Sequence, residues 1–70
     1  MMEYSNSEMA EAINECIHNA LYRDVLRLRL LDGMTYEKIA EKVDRTPRQI
    51  ATIMSRNTPV LYRWLCRKIS

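Results

Sequence analysis

Thr35-Tyr36-Glu37-Lys38-Ile39-Ala40-Glu41-Lys42-Val43-Asp44-Arg45-Thr46-Pro47-Arg48-Gln49-Ile50-Ala51-Thr52-Ile53-Met54-Ser55-Arg56 is the stretch that decides the fold. Thr35 suits the N-cap of a short helix over 36–43, with Glu37 in its first turn and Ile39, Ala40 and Val43 facing inward. Asp44-Arg45 makes a tight turn. Thr46-Pro47-Arg48-Gln49 then opens a second helix on three counts. Thr is a good cap, Pro fits the first helical position, and Gln three residues after the cap closes a capping box. Ile50, Ile53 and Met54 face inward on that helix. Two short helices across a turn this short, the second polar on its outer face, form a helix-turn-helix over 35–57. Ala40 is small enough to let the second helix cross closely. Arg48, Gln49, Thr52, Ser55 and Arg56 make the outer face, which suits the major groove.

Downstream, Thr58-Pro59 repeats the cap-plus-proline signal. It predicts a separate amphipathic helix over 58–70 containing Val60, Leu61, Trp64, Leu65 and Ile69. Upstream, residues 1–6 read as a frayed tail, and Ser7 is placed to cap a helix with Glu8 in its first turn. Met9, Ala12, Ile13, Cys16, Ile17, Ala20 and Leu21 follow at helical spacing. Leu21, Val25, Leu28 and Leu31 continue the pattern to Asp32-Gly33, where Gly33 takes the left-handed end. His18-Asn19 is the weakest point between them. One helix and two helices both fit residues 7–32; the reading adopted is two, with Asn19 as the second cap.

The chain has 70 residues, 47% of them hydrophobic and 29% charged, with one Gly, two Pro and no Phe. That length allows one domain, and folding buries only about 60% of the surface exposed by an unfolded chain of this size. One Gly and two Pro cannot supply the turns of a β-sandwich or barrel. The expectation is an all-α, compact four- or five-helix domain. No apolar run exceeds three residues, so neither a membrane span nor a secretory signal is expected, and the location expected is the cytoplasm. Cys16 and Cys66 lie fifty residues apart and His18 is the single histidine. Buried reduced thiols are expected, with no metal site and no cofactor. No acidic pair, Ser–His–Asp order or Gly-rich phosphate loop points to an enzyme.

Charge is unevenly spread. Residues 1–22 hold four acids and no base, residues 23–44 five of each, and residues 45–70 six bases and no acid. One reading is that the basic end meets a polyanion; the other is two solvated faces that pair with each other.

The stretch Arg23-Asp24-Val25-Leu26-Arg27-Leu28-Arg29-Leu30-Leu31-Asp32-Gly33-Met34-Thr35-Tyr36-Glu37-Lys38-Ile39-Ala40 resembles the start of region four of bacterial sigma factors. It also resembles the small sigma-like regulators of phages and mobile elements. The likeness covers about residues 19–57. It implies that Arg48, Gln49, Thr52 and Ser55 face bases, with Arg45, Thr46 and Arg56 nearer the backbone. Three departures stand out. Asp44 occupies a position where the family usually has Gly, and Arg45 one that is often aromatic or apolar. The 70 residues also contain no region for binding the polymerase core, so a whole sigma factor is not expected.

The function expected is sequence-specific binding of double-stranded DNA by a small transcriptional regulator. The alternative is a protein-binding adaptor that uses a sigma-like fold to engage RNA polymerase or another host protein. One recognition helix covers little DNA, and free-standing regulators usually pair. The stripe Met9, Ile13, Cys16 and Ile17 is either core or a dimer seam; the expectation is a homodimer through residues 8–21.

Overall fold

The computed structural model describes residues 4–69, which form four helices and, within that range, no strand. They are α1 (Asn6–Cys16), α2 (Ala20–Leu30), α3 (Tyr36–Val43) and α4 (Pro47–Ile69). Each start has a local cause. Ser5, not Ser7, caps α1. Its hydroxyl accepts from the Glu8 N–H at 3.2 Å, and the Glu8 carboxylate accepts from the Ser5 N–H at 2.9 Å. The tail expected over 1–6 is therefore ordered from Tyr4, which packs against the core; residues 1–3 lie outside the described range. Asn19 caps α2 by accepting from the Tyr22 N–H at 3.2 Å, so residues 7–32 form two helices. Thr35 caps α3 through the Lys38 N–H.

The ends of α2 and α3 each need a left-handed residue. Gly33 sits at φ 68°, and the Met34 N–H reaches back to the Leu28 carbonyl at 3.0 Å. Asp44 sits at φ 59° and ψ 49°, the conformation that Gly enters without strain and that Asp tolerates better than most. The Arg45 N–H closes that turn on the Ala40 carbonyl at 2.8 Å.

The last part of the chain departs from expectation. No new helix begins at Thr58-Pro59. Instead α4 runs unbroken for 23 residues with Pro59 inside it. At 1.5 Å per residue it is about 34 Å long, against a longest molecular dimension of 36 Å. It is the spine on which α1, α2 and α3 all pack, while α2 touches all three others. The apolar stripe explains the continuity. Ile50, Ile53, Met54, Leu61 and Leu65 are all buried and keep helical phase straight through Pro59, which itself is solvent-facing. Val60, counted among the apolar residues of the expected helix, is 42% exposed.

The remaining core comes from Met9, Ala12, Ile13 and Ile17, from Val25 and Leu26, and from Ile39 and Ala40. Of the two readings of the α1 stripe, core or dimer seam, this chain uses it as core. Met9, Ile13 and Ile17 are buried inside a single chain, and Cys16 is half-buried beside them. Burying each such aliphatic side chain is worth about 1.5–3 kcal/mol, which a 70-residue domain cannot spare for a seam. Ala40 is 3% exposed where α3 meets α4, the close crossing its size was expected to permit. Arg29 joins α2 to α3. It donates to the Met34 carbonyl at 2.9 Å and stacks 5.0 Å from the Tyr36 ring centre. Arg27 does the same between α2 and α1 through the Asn14 side-chain oxygen.

Candidate nucleic-acid interface

The candidate interface is built on the turn between α3 and α4 and the first turns of α4. Arg45, Thr46, Arg48, Gln49, Thr52, Ser55 and Arg56 are all exposed. Thr46 and Gln49 form the capping box expected of them. The Thr46 hydroxyl accepts from the Gln49 N–H at 3.2 Å, and the Gln49 side-chain oxygen accepts from the Thr46 N–H at 3.0 Å. One turn on, the Thr52 hydroxyl donates to the Arg48 carbonyl at 3.1 Å. Asn57, half-buried, ties its amide to the Ile53 carbonyl at 2.8 Å. Among the described residues, no hydrogen bond or ion pair engages the guanidinium groups of Arg45, Arg48 and Arg56. They stand free to meet an anion.

At 100° per residue, Arg48, Thr52, Ser55, Arg56, Arg63 and Arg67 fall within about a third of the circumference of α4. The buried residues of the helix occupy the opposite side. Four arginines thus line one face over about 28 Å. No acidic residue follows Asp44 in the sequence to neutralise them. On the expectation of a helix start at Thr58-Pro59, Arg63 and Arg67 belong to a separate helix; only the continuity of α4 puts them in line with Arg48.

Two further residues join the site without having been singled out. Leu21 and Tyr22, at the start of α2, line an open groove of 530 Å³ with Arg45, Thr46, Arg48, Gln49, Thr52 and Ile53. The first turn of α2, which supplies Leu21 and Tyr22 to the groove, carries no acid to offset the positive end of the helix dipole. The sequence signal was Asn19. A cap there starts a helix whose first turn holds Leu21 and Tyr22, but only the tertiary fold sets that turn beside α4.

The chemistry of the remaining reactive groups is modest. Burial pushes the Cys16 thiol above its usual range. Cys66 is exposed, against the expectation that both thiols are buried, and neither cysteine is held in a disulfide. Among the described residues no three His, Cys, Asp or Glu side chains converge as a metal-holding group. No helix in that range is long and apolar enough to cross a membrane.

No protein-family model, curated protein or solved structure matches this chain.

Proposed function

We propose that this protein is a transcriptional regulator that binds double-stranded DNA sequence-specifically, laying the start of α4 in the major groove. The observation that carries this reading is the exposed face of Arg45, Arg48, Gln49, Thr52 and Arg56, acid-free and presented at the start of a helix. Arg48, in the first turn of α4, is the main base reader, because its fork of donors matches the two acceptors of guanine. Arg45 and Arg56 flank it as phosphate contacts. The groove beside Leu21 and Tyr22 is lined by Arg45 and Arg48 as well, so it adjoins the same basic face.

Gel-shift titration at two salt concentrations tests the proposal. Three to five arginine–phosphate contacts predict affinity falling about 40- to 500-fold between 50 and 200 mM salt, through counterion release. Arg48→Ala should cost about 1–3 kcal/mol on the preferred site and relax selection there. Unchanged affinity in that variant would remove Arg48 from the reading role. One observation favours a second reading. With Met9, Ile13 and Ile17 consumed in the core, a lone module remains, and such a module covers only about 600–1,000 Å² of contact surface on DNA. An adaptor brought to its target by RNA polymerase would need no more. That reading predicts no duplex binding at 50 mM salt.

A further inference from the structure

The side chains of Thr46, Gln49 and Thr52 each have part of their hydrogen-bonding capacity already committed, and the commitments are not symmetric. Gln49 is the usual kind of residue for reading adenine, because its amide offers an acceptor and a donor side by side to the adenine edge. Here that acceptor is turned back onto the Thr46 N–H at 3.0 Å, and the Gln49 backbone N–H is held in return by the Thr46 hydroxyl. Releasing Gln49 to lie flat along adenine would open its half of the capping box and leave the Thr46 N–H without that acceptor, while the Thr46 hydroxyl still caps the Gln49 N–H. What Gln49 has left wholly uncommitted to extend toward a base is its NH₂ group. Arg48 beside it has only donors. Thr52 is the reverse case. Its hydroxyl hydrogen is spent on the Arg48 carbonyl, which can only accept, so the oxygen faces outward as an acceptor.

We infer that the reading face of α4 carries a fixed polarity: donors from Arg48 and Gln49, an acceptor from Thr52. It therefore takes acceptor edges (guanine, or thymine O4) against its first turn and an amino-bearing edge opposite Thr52. Gln49 does not select adenine. This inference rests on the DNA-binding reading above and adds the class of base edge to it. The capping box acts as the positioning device, since it decides which half of the Gln49 amide is presented.

The test is selection from randomised duplexes with the wild-type protein, Gln49→Ala and Gln49→Glu. The base pair whose preference disappears in Gln49→Ala is the one Gln49 reads. At that pair the wild type should accept guanine and thymine at least as well as adenine, and disfavour cytosine about tenfold, since cytosine offers only an amino donor there. Gln49→Glu keeps an oxygen for the Thr46 N–H and replaces the NH₂ with an acceptor. Its relative preference at that pair should invert toward cytosine, whatever the added charge does to total affinity. Amide hydrogen exchange gives a readout independent of base preference: the Thr46 N–H should stay protected in the complex. Adenine favoured about tenfold over guanine and thymine, or a Thr46 amide that exchanges faster on DNA, overturns this inference and leaves duplex binding intact. Failure to bind any duplex at 50 mM salt overturns both.

Discussion

Pro59 stands inside α4 with helical residues on both sides, and its side chain faces solvent. It has no N–H to give the Ser55 carbonyl, and its ring crowds that carbonyl. An interior Pro is about 3 kcal/mol less favourable than Ala in a helix. A solvent-facing site lets the helix bend and recover part of that penalty, so Pro59→Ala should stabilise the fold by about 2 kcal/mol, with no packing lost. For a domain of this size, that raises the midpoint of thermal unfolding by about 8–16 °C. Far-UV circular dichroism melts, with a urea titration to check that the m-value is unchanged, measure it directly. The sign is diagnostic. Were Thr58-Pro59 the start of a new helix, Pro would sit at its favoured first position, and replacing it would lower the midpoint or leave it unmoved. Either outcome would refute a continuous α4, and with it the alignment of Arg63 and Arg67 with Arg48.

Asp44→Gly relieves the left-handed conformation at φ 59° and should raise the urea midpoint by the equivalent of about 0.5–1 kcal/mol, since Asp pays part of the left-handed cost that Gly avoids; a lower midpoint would mean that the Asp44 side chain contributes to the turn. The Ser5 N–H and hydroxyl hold the Glu8 carboxyl below the usual carboxylate range. Its share of stability is therefore present above the unfolded value near 4.3 and fades as pH falls through the lower folded one. An NMR titration should place the Glu8 midpoint below that of a Ser5→Ala variant, which keeps the backbone N–H and loses the hydroxyl; coincident midpoints would rule out the hydroxyl's share. Sedimentation at tens of micromolar should give a monomer in the absence of DNA, because the stripe that would pair two copies is buried. A dimer would require a different surface, and Val60 with Tyr62 would be the first to examine.

The helix-turn-helix was the most legible part of the chain because its signals are local. Thr35, the Asp44 turn and the Thr46–Gln49 box each act within about four residues, and each forms as read. The cap at α1 was misplaced by two residues although the S-x-x-E signature from Ser5 to Glu8 was present; Ser7 offered the same hydroxyl and stood nearer the first apolar residue. At Pro59 two rules collided. The dipeptide favours a helix start, while the stripe Ile50, Met54, Leu61, Leu65 demands that helical phase continue, and burial of four large side chains outweighs one strained turn. The α1 stripe shows a different limit. Helical spacing reports that one face is apolar, and says nothing about whether the chain itself or a second copy covers it. The groove at Leu21 and Tyr22 was invisible for the same reason, since it exists only where two helix starts, 27 residues apart in sequence, are brought together.

Tyr4 rests against Tyr62, ring centres 6.2 Å apart, and Tyr62 lies about 22 Å along α4 from Pro47. Both ends of the described chain consequently leave from the same pole, away from the reading turn. A fluorophore or affinity tag attached at either end sits clear of the reading turn. Under mechanical load applied through both ends, tension enters at the contact between Tyr4 and α4. It would peel α1 from its neighbour one turn at a time, so the fold opens as a zipper does, at low force, while α3 and the start of α4 bear load last. Two copies joined in series need only a short flexible tether, because neither connection has to cross the length of the molecule.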